Sequence, residues 1–191
     1  PRELFPFDFE TYKNSPIRCE MAVTNCLTGK AEYLDDREDM ERLLLICRAS
    51  SSMPVVSKPV ELDGVPYMDG GLADSVPISR MLRAGYKKAV VILTRNAGYR
   101  KKLSKKGVVI YKKMYGKRYP ELYRAICRRP LIYNRTMELV ERLEKEGRIF
   151  VLRPETPVIS RTERRPEVLK AFYSHGCEMM ERRYEELLSY L

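Results

Sequence analysis

Between Ile17 and Leu27 (IRCEMAVTNCL) apolar and polar residues alternate, with Cys19, Met21 and Val23 set against Arg18, Glu20 and Thr24. A Thr28-Gly29 turn then leads into Lys30 to Leu34 (KAEYL), so the pattern predicts two strands joined as a hairpin. The period next lengthens. Asp36 can cap a helix in which Met40, Leu43, Leu44 and Cys47 fall at i, i+3, i+4 and i+7, predicting one buried stripe. Short extended pieces are expected from Pro59 to Tyr67, and Pro77 opens a helix that stops at Gly85. The continuous apolar run Ala89 to Leu93 predicts a strand covered on both faces by a crossover. Helical stretches follow near Pro120 to Cys127 and Tyr133 to Glu146, then a strand from Arg148 to Leu152. From Pro166 onward Leu169, Tyr173, Cys177, Met180, Tyr184, Leu187 and Leu191 step by threes and fours, predicting one long helix packed on the body as a flank or lid. Helices alternating with apolar strands indicate an α/β architecture.

With 191 residues and 44% hydrophobic content the chain can bury a sizeable core, as one domain or one domain with an appendage. Its formal charge of +10 is local. Arg95 to Arg118 (RNAGYRKKLSKKGVVIYKKMYGKR) holds ten Lys and Arg and no acid, and the rest has 36 − 10 = 26 basic against 26 acidic residues. The sharpest change in composition falls at Thr94 to Arg95, which divides the expected organisation into residues 1–94 and 95–191. The plain reading of the basic segment is a solvated loop and helix face. The functional reading is an anionic membrane surface, because clustered cations profit from its negative potential. Nucleic acid is not expected, since no reader motif is present.

The five cysteines, at 19, 26, 47, 127 and 177, are odd in number and never form a CxxC pair, which argues against a disulfide framework or a zinc site. A reducing, cytoplasmic setting fits them. No run approaches the roughly 20 apolar residues of a membrane span, and no signal-peptide pattern is seen. The expectation is a soluble or peripherally membrane-bound protein.

Two Asp-Gly dipeptides stand within eight residues. Asp63-Gly64, between VEL and VPYM, has the form of a two-residue hairpin turn in which both positions favour positive φ. Asp69 ends a strand-like segment and precedes Gly70 and Gly71. From spacing alone Asp-Gly-Gly reads first as a turn. A carboxylate at the end of a strand in an α/β protein also stands where clefts form, and the two glycines let the backbone approach a ligand.

The wider block, CRASSSMPVVSKPVELDGVPYMDGGLADSVPI, contains Ala49-Ser50-Ser51-Ser52, Pro54, a strand pair, Asp-Gly-Gly and a helix opened by Pro77. It resembles the C-terminal half of the patatin-like phospholipase family, specifically its bacterial members. There the block runs approximately Ala-Ser-Ser-x-x-Pro, a spacer, then Asp-Gly-Gly or Asp-Gly-Ala. The resemblance implies a three-layer α/β/α fold with a helical C-terminal extension, and a serine acyl hydrolase acting on lipid or acyl esters through a Ser-Asp dyad. Asp69 is the position onto which the aspartate maps. No cofactor and no metal is implied. A carboxylate within hydrogen-bond reach can take a serine proton without a histidine between them. His175, the single histidine, reads as a packed or edge residue.

The family also carries a Gly-x-Ser-x-Gly nucleophile elbow, and no serine of this chain is bracketed in that way. Ser50, Ser51 and Ser52 read as close packing. The expectation is therefore the C-terminal part of a longer hydrolase, inactive alone, with the nucleophile encoded before Pro1. The alternative is a non-catalytic patatin-like module that docks on anionic membranes through its basic segment. A chain lacking the first half of its sheet should also tend to self-associate.

Overall fold

The computed structural model describes residues 6–160 and 162–191. In chain order the elements are α1 (Phe9–Asn14), β1 (Met21–Asn25), β2 (Ala31–Leu34), α2 (Met40–Ser50), β3 (Val60–Leu62), β4 (Val65–Asp69), a 3-10 turn (Gly70–Leu72), α3 (Ile78–Arg83), β5 (Ala89–Ile92), α4 (Lys105–Tyr115), α5 (Pro120–Lys145), β6 (Ile149–Leu152), α6 (Pro166–Arg182) and α7 (Tyr184–Tyr190). They form two compact units, one of Pro1–Pro77 with Lys102–Tyr133, the other of Ile78–Lys101 with Asn134–Leu191. The chain is a mixed α/β protein.

The first unit is built on an antiparallel sheet of order β2-β1-β4-β3. Strand alternation sorts its side chains onto two faces. Val23, Val60, Leu62 and Tyr67 pack with Ile46 and Ala49 of α2. Cys26, Met68 and Leu72 pack with Tyr115 of α4 and with Leu122 and Ile126 of α5. Helices thus cover both faces in the expected three layers. Each fully buried large side chain, such as Ile46, Met68 or Leu122, contributes about 1.5–3 kcal/mol of transfer free energy. The β3–β4 hairpin closes through Asp63 (φ 52°) and Gly64 (φ 77°), with Leu62 opposite Val65, as the turn chemistry predicts.

The phase of α2 differs from the expected stripe. Leu43, Ile46 and Ala49 are buried, whereas Leu44 and Cys47 are exposed. The run Leu43 to Cys47 is apolar throughout, so it fits several helical phases, and the face ending in small Ala49 is the one that lies against the sheet. The cap also moves. Asp39 accepts from the N–H groups of Glu41 and Arg42, while Asp36 accepts from Glu38 and Asp39 one turn earlier.

In the second unit β5 and β6 pair in parallel, Ala89 opposite Ile149 through Ile92 opposite Leu152. All four β6 residues are buried, but β5 is covered on one face only: Val90 is 39% and Ile92 75% exposed. The expectation of a β5 buried on both faces does not hold. The two helices expected after residue 120 are one, α5, which continues through Pro130. Proline removes one helical hydrogen bond, and the buried series Leu122, Ile126, Tyr133, Met137 and Val140 offsets that loss.

The long C-terminal helix is instead two. At Arg183 (φ −103°, ψ 9°) the chain leaves helical geometry. The guanidinium donates to the Val151 carbonyl at 2.6 Å, pairs with Glu186 and lies 4.3 Å from the Phe150 ring centroid. α7 is fastened by Tyr190, whose hydroxyl accepts from Ala89 N–H and donates to the Arg148 carbonyl, both at 2.8 Å. Of the expected buried stripe only Met180 and Leu187 are half-buried, and Leu169, Tyr173, Cys177, Tyr184 and Leu191 are exposed. Among the described residues no helix is long and apolar enough to cross a membrane.

Candidate active site

Asp69 is the last residue of β4, opposite Val23 of β1. Both of its backbone groups are tied. Its N–H donates to the Ser52 carbonyl at 2.9 Å, and its carbonyl accepts from the Thr24 hydroxyl at 2.8 Å. Thr24 is fully buried and its hydroxyl also accepts from Ala73 N–H at 3.2 Å, so one side chain holds both ends of the turn that follows Asp69. Gly70 is required by close approach rather than by φ. A Cβ there would stand 2.2 Å from the Ala22 carbonyl oxygen.

The half-buried Asp69 carboxylate is bonded within its own loop. Its Oδ1 accepts from Gly71 N–H at 2.7 Å, which starts the 3-10 turn. Among the described residues Oδ2 has no protein hydrogen-bond donor. A Cβ on Gly71 would lie 2.9 Å from Asp69 Oδ1, 3.6 Å from Arg129 Nη2 and 3.7 Å from Ser75 Oγ, so a carboxylate, a guanidinium and a hydroxyl surround this glycine. Ser75 donates to the Gly71 carbonyl at 2.7 Å. A carboxylate fixed through its backbone, with one oxygen held and the other without a hydrogen-bond donor among the described residues, can accept a proton from a hydroxyl brought within hydrogen-bond reach.

The serine block is packing and pinning. Ser50 Oγ donates to the Ala22 carbonyl at 2.8 Å, Ser52 Oγ to Arg48 at 2.7 Å, and Ser51 Oγ to Cys47 at 3.0 Å. The Ser50 bond fastens the end of α2 to β1, and the other two close the last turn of α2 just before the Ser52 carbonyl that holds Asp69. Asp63 points elsewhere, pairing with Arg42 Nη2 at 2.6 Å. His175 Nε2 accepts from Glu155 N–H at 3.2 Å in the second unit, an edge position. Upstream of Asp69 on β4, Tyr67 donates to Glu32 Oε2 at 2.7 Å, and burial, then the Glu32 carboxylate, push its phenol up to about 12. Burial likewise pushes the Cys26 thiol up to about 12. Among the described residues no group of three or more His, Cys, Asp or Glu is placed to hold a metal ion.

Sequence reasoning finds Asp69 but misses Thr24, Ser75 and Arg129. Ser75 stands in the same motif, DGGLADS, and was legible as a neighbour. Thr24 and Arg129 reach the turn through strand pairing and helix packing, for which local sequence holds no signal.

Residues 7–82, which include β1 to β4, Asp69 and its turn, match the family described as patatin-like phospholipase. This segment is similar to patatin-like phospholipases. Residues 119–191 match a domain of unknown function (DUF6363). A curated relative, the uncharacterized protein YjjU of Escherichia coli (strain K12), is 31% identical over 96 residues, covering 44% of this chain. The match spans 27% of that protein's length.

Proposed function

We propose that this patatin-like chain contributes the aspartate of a Ser-Asp dyad to a lipid acyl hydrolase. Asp69 is the proton acceptor, and a serine outside these 191 residues is the nucleophile. The observation that carries the reading is the state of the Asp69 carboxylate, which is fixed through Thr24, Ser52 and Gly71 and has one oxygen without a hydrogen-bond donor among the described residues, within the segment that matches the family. The substrate class is a lipid or acyl ester, and the dyad needs no cofactor or metal. The Escherichia coli relative supports a bacterial setting.

The division of labour follows from chemistry. A serine hydroxyl is a weak nucleophile until a base removes its proton. Asp69 would take that proton as the acyl carbon is attacked, and return it to the departing alkoxide. The three serines of the Ala-Ser-Ser-Ser block cannot serve, because each hydroxyl already donates to a backbone carbonyl.

The test is ester hydrolysis by the chain alone and by the chain joined to a Gly-x-Ser-x-Gly half. The chain alone should show no turnover. In the joined protein Asp69→Asn should lower kcat by at least about a hundredfold, the scale of a lost general base, while Asp63→Asn leaves it unchanged. Activity of Asp69→Asn within tenfold of wild type would overturn the assignment.

A further inference from the structure

We infer that α4 is an interfacial helix that seats this protein on anionic lipid surfaces, inserting Val109, Ile110 and Met114 between lysines that neutralise the headgroups. This inference does not depend on the role of Asp69.

Three observations on α4 support it. The first is exposure of apolar side chains within a basic segment: Val109 is 69%, Ile110 49% and Met114 46% exposed. The second is their arrangement. At about 100° per residue, Lys105, Val109, Lys113, Lys106, Ile110 and Met114 fall in one arc of about 180°, and the opposite side carries buried Tyr115 and half-buried Tyr111 into the core. The helix is thus anchored by one face, capped by Ser104 Oγ at Gly107 N–H, and presents the other. The third is charge. Lys102, Lys105, Lys106, Lys112, Lys113 and Lys117 are all exposed, no acid lies between Arg95 and Arg118, and among the described residues none of these six forms an ion pair.

A solvated face would need the lysines but not the valine, isoleucine and methionine between them. A nucleic-acid surface would use the lysines for phosphates and aromatic rings for bases, yet the α4 tyrosines turn inward. Tyr115 is buried, with its hydroxyl accepting from Val55 N–H at 3.1 Å. Lysines interleaved with short apolar side chains on an exposed helix face match an interface with two layers, phosphate headgroups outside and acyl chains beneath. Lysine stems reach up to the headgroups while the apolar side chains go deeper.

The experiment is flotation of the full 191-residue chain with phosphatidylglycerol/phosphatidylcholine vesicles and with phosphatidylcholine vesicles, across a salt series. Binding to the anionic vesicles alone is expected, weakening as salt rises. Lys105→Glu/Lys106→Glu/Lys113→Glu should lose on the order of a hundredfold in affinity. Ile110→Asp should lose at least about tenfold, most at low salt where its added charge also repels the headgroups, with an unchanged thermal melt because the side chain is exposed. The inference is overturned by equal binding to neutral vesicles, by no vesicle binding, or by wild-type affinity in either variant. Binding of single-stranded RNA without binding of vesicles overturns it too, as does an α4 face that only mediates self-association, seen as a dimer that Ile110→Asp dissociates.

Discussion

The hydroxyl of Thr24 donates to the main-chain carbonyl of Asp69 at 2.8 Å and is fully buried while doing so. It also accepts from Ala73 N–H, so it braces a turn whose two ends lie on either side of Gly70 and Gly71. Thr24→Val keeps the shape but takes the hydroxyl donor from the Asp69 carbonyl and leaves Ala73 N–H with the Gly70 carbonyl alone. A loss of about 1–2 kcal/mol is expected in urea unfolding. Thr24→Ser, which keeps the hydroxyl, should recover most of it.

Gly70 and Gly64 are constrained in different ways, and the same substitution separates them. At Gly70 a Cβ meets the Ala22 carbonyl oxygen at 2.2 Å, and β1 cannot retreat without breaking its register with β4. At Gly64 nothing lies within 4 Å, and only the positive φ of 77° opposes a side chain. Gly70→Ala should cost at least about 3 kcal/mol, and Gly64→Ala about 1 kcal/mol. Equal midpoints in thermal unfolding would show that the close approach to Ala22 is not maintained in solution.

The entry to α2 carries an acid dependence. Asp36 is held below the usual carboxylate range by the Asp39 N–H first, with Arg42 and Glu38 N–H adding to it against the opposing effect of burial. A carboxyl whose folded value is lowered contributes stability that is complete above its unfolded value near 3.9 and lost as pH falls through the folded value. Asp36→Asn should therefore flatten stability against pH below about 4 and leave the slope near pH 7 unaltered. Asp39→Ala, which removes the cap itself, should cost about 1 kcal/mol near neutral pH.

These positions also show what could be read from sequence. The Asp63-Gly64 hairpin was legible because its chemistry is local: two adjacent residues adopt φ values that few others tolerate. The phase of α2 was not, since five consecutive apolar residues from Leu43 to Cys47 define no single face, and small Ala49 at the sheet decides it. The break at Arg183 was hidden for a different reason: a charged residue at helical spacing turns inward to the Val151 carbonyl, a contact 32 residues distant in the chain. At the candidate site the Asp-Gly-Gly turn was visible, but the residues that fix Asp69 were not. Thr24 lies 45 residues upstream and meets it only because β1 and β4 pair.

Tyr67 offers a test at the alkaline end. Its phenol donates to Glu32 Oε2 at 2.7 Å, and Glu32 Oε1 accepts from Asn25 Nδ2 at 2.8 Å, so the carboxylate is shared between β4 and β1. Burial, then Glu32, push the phenol up to about 12 from an ordinary 10.0. A group with a raised folded value contributes stability that is fully present below its unfolded value and lost as pH rises through the folded one. The folded protein should therefore lose on the order of 2 kcal/mol between pH 10 and 12 from this residue. Tyr67→Phe removes that loss but leaves Glu32 with one donor fewer, costing about 1–2 kcal/mol at neutral pH. The curves of wild type and variant should converge as pH rises towards 12. Parallel curves would show that Tyr67 ionises no later in the folded chain than in the unfolded one, and that the Glu32 bond does not hold its proton.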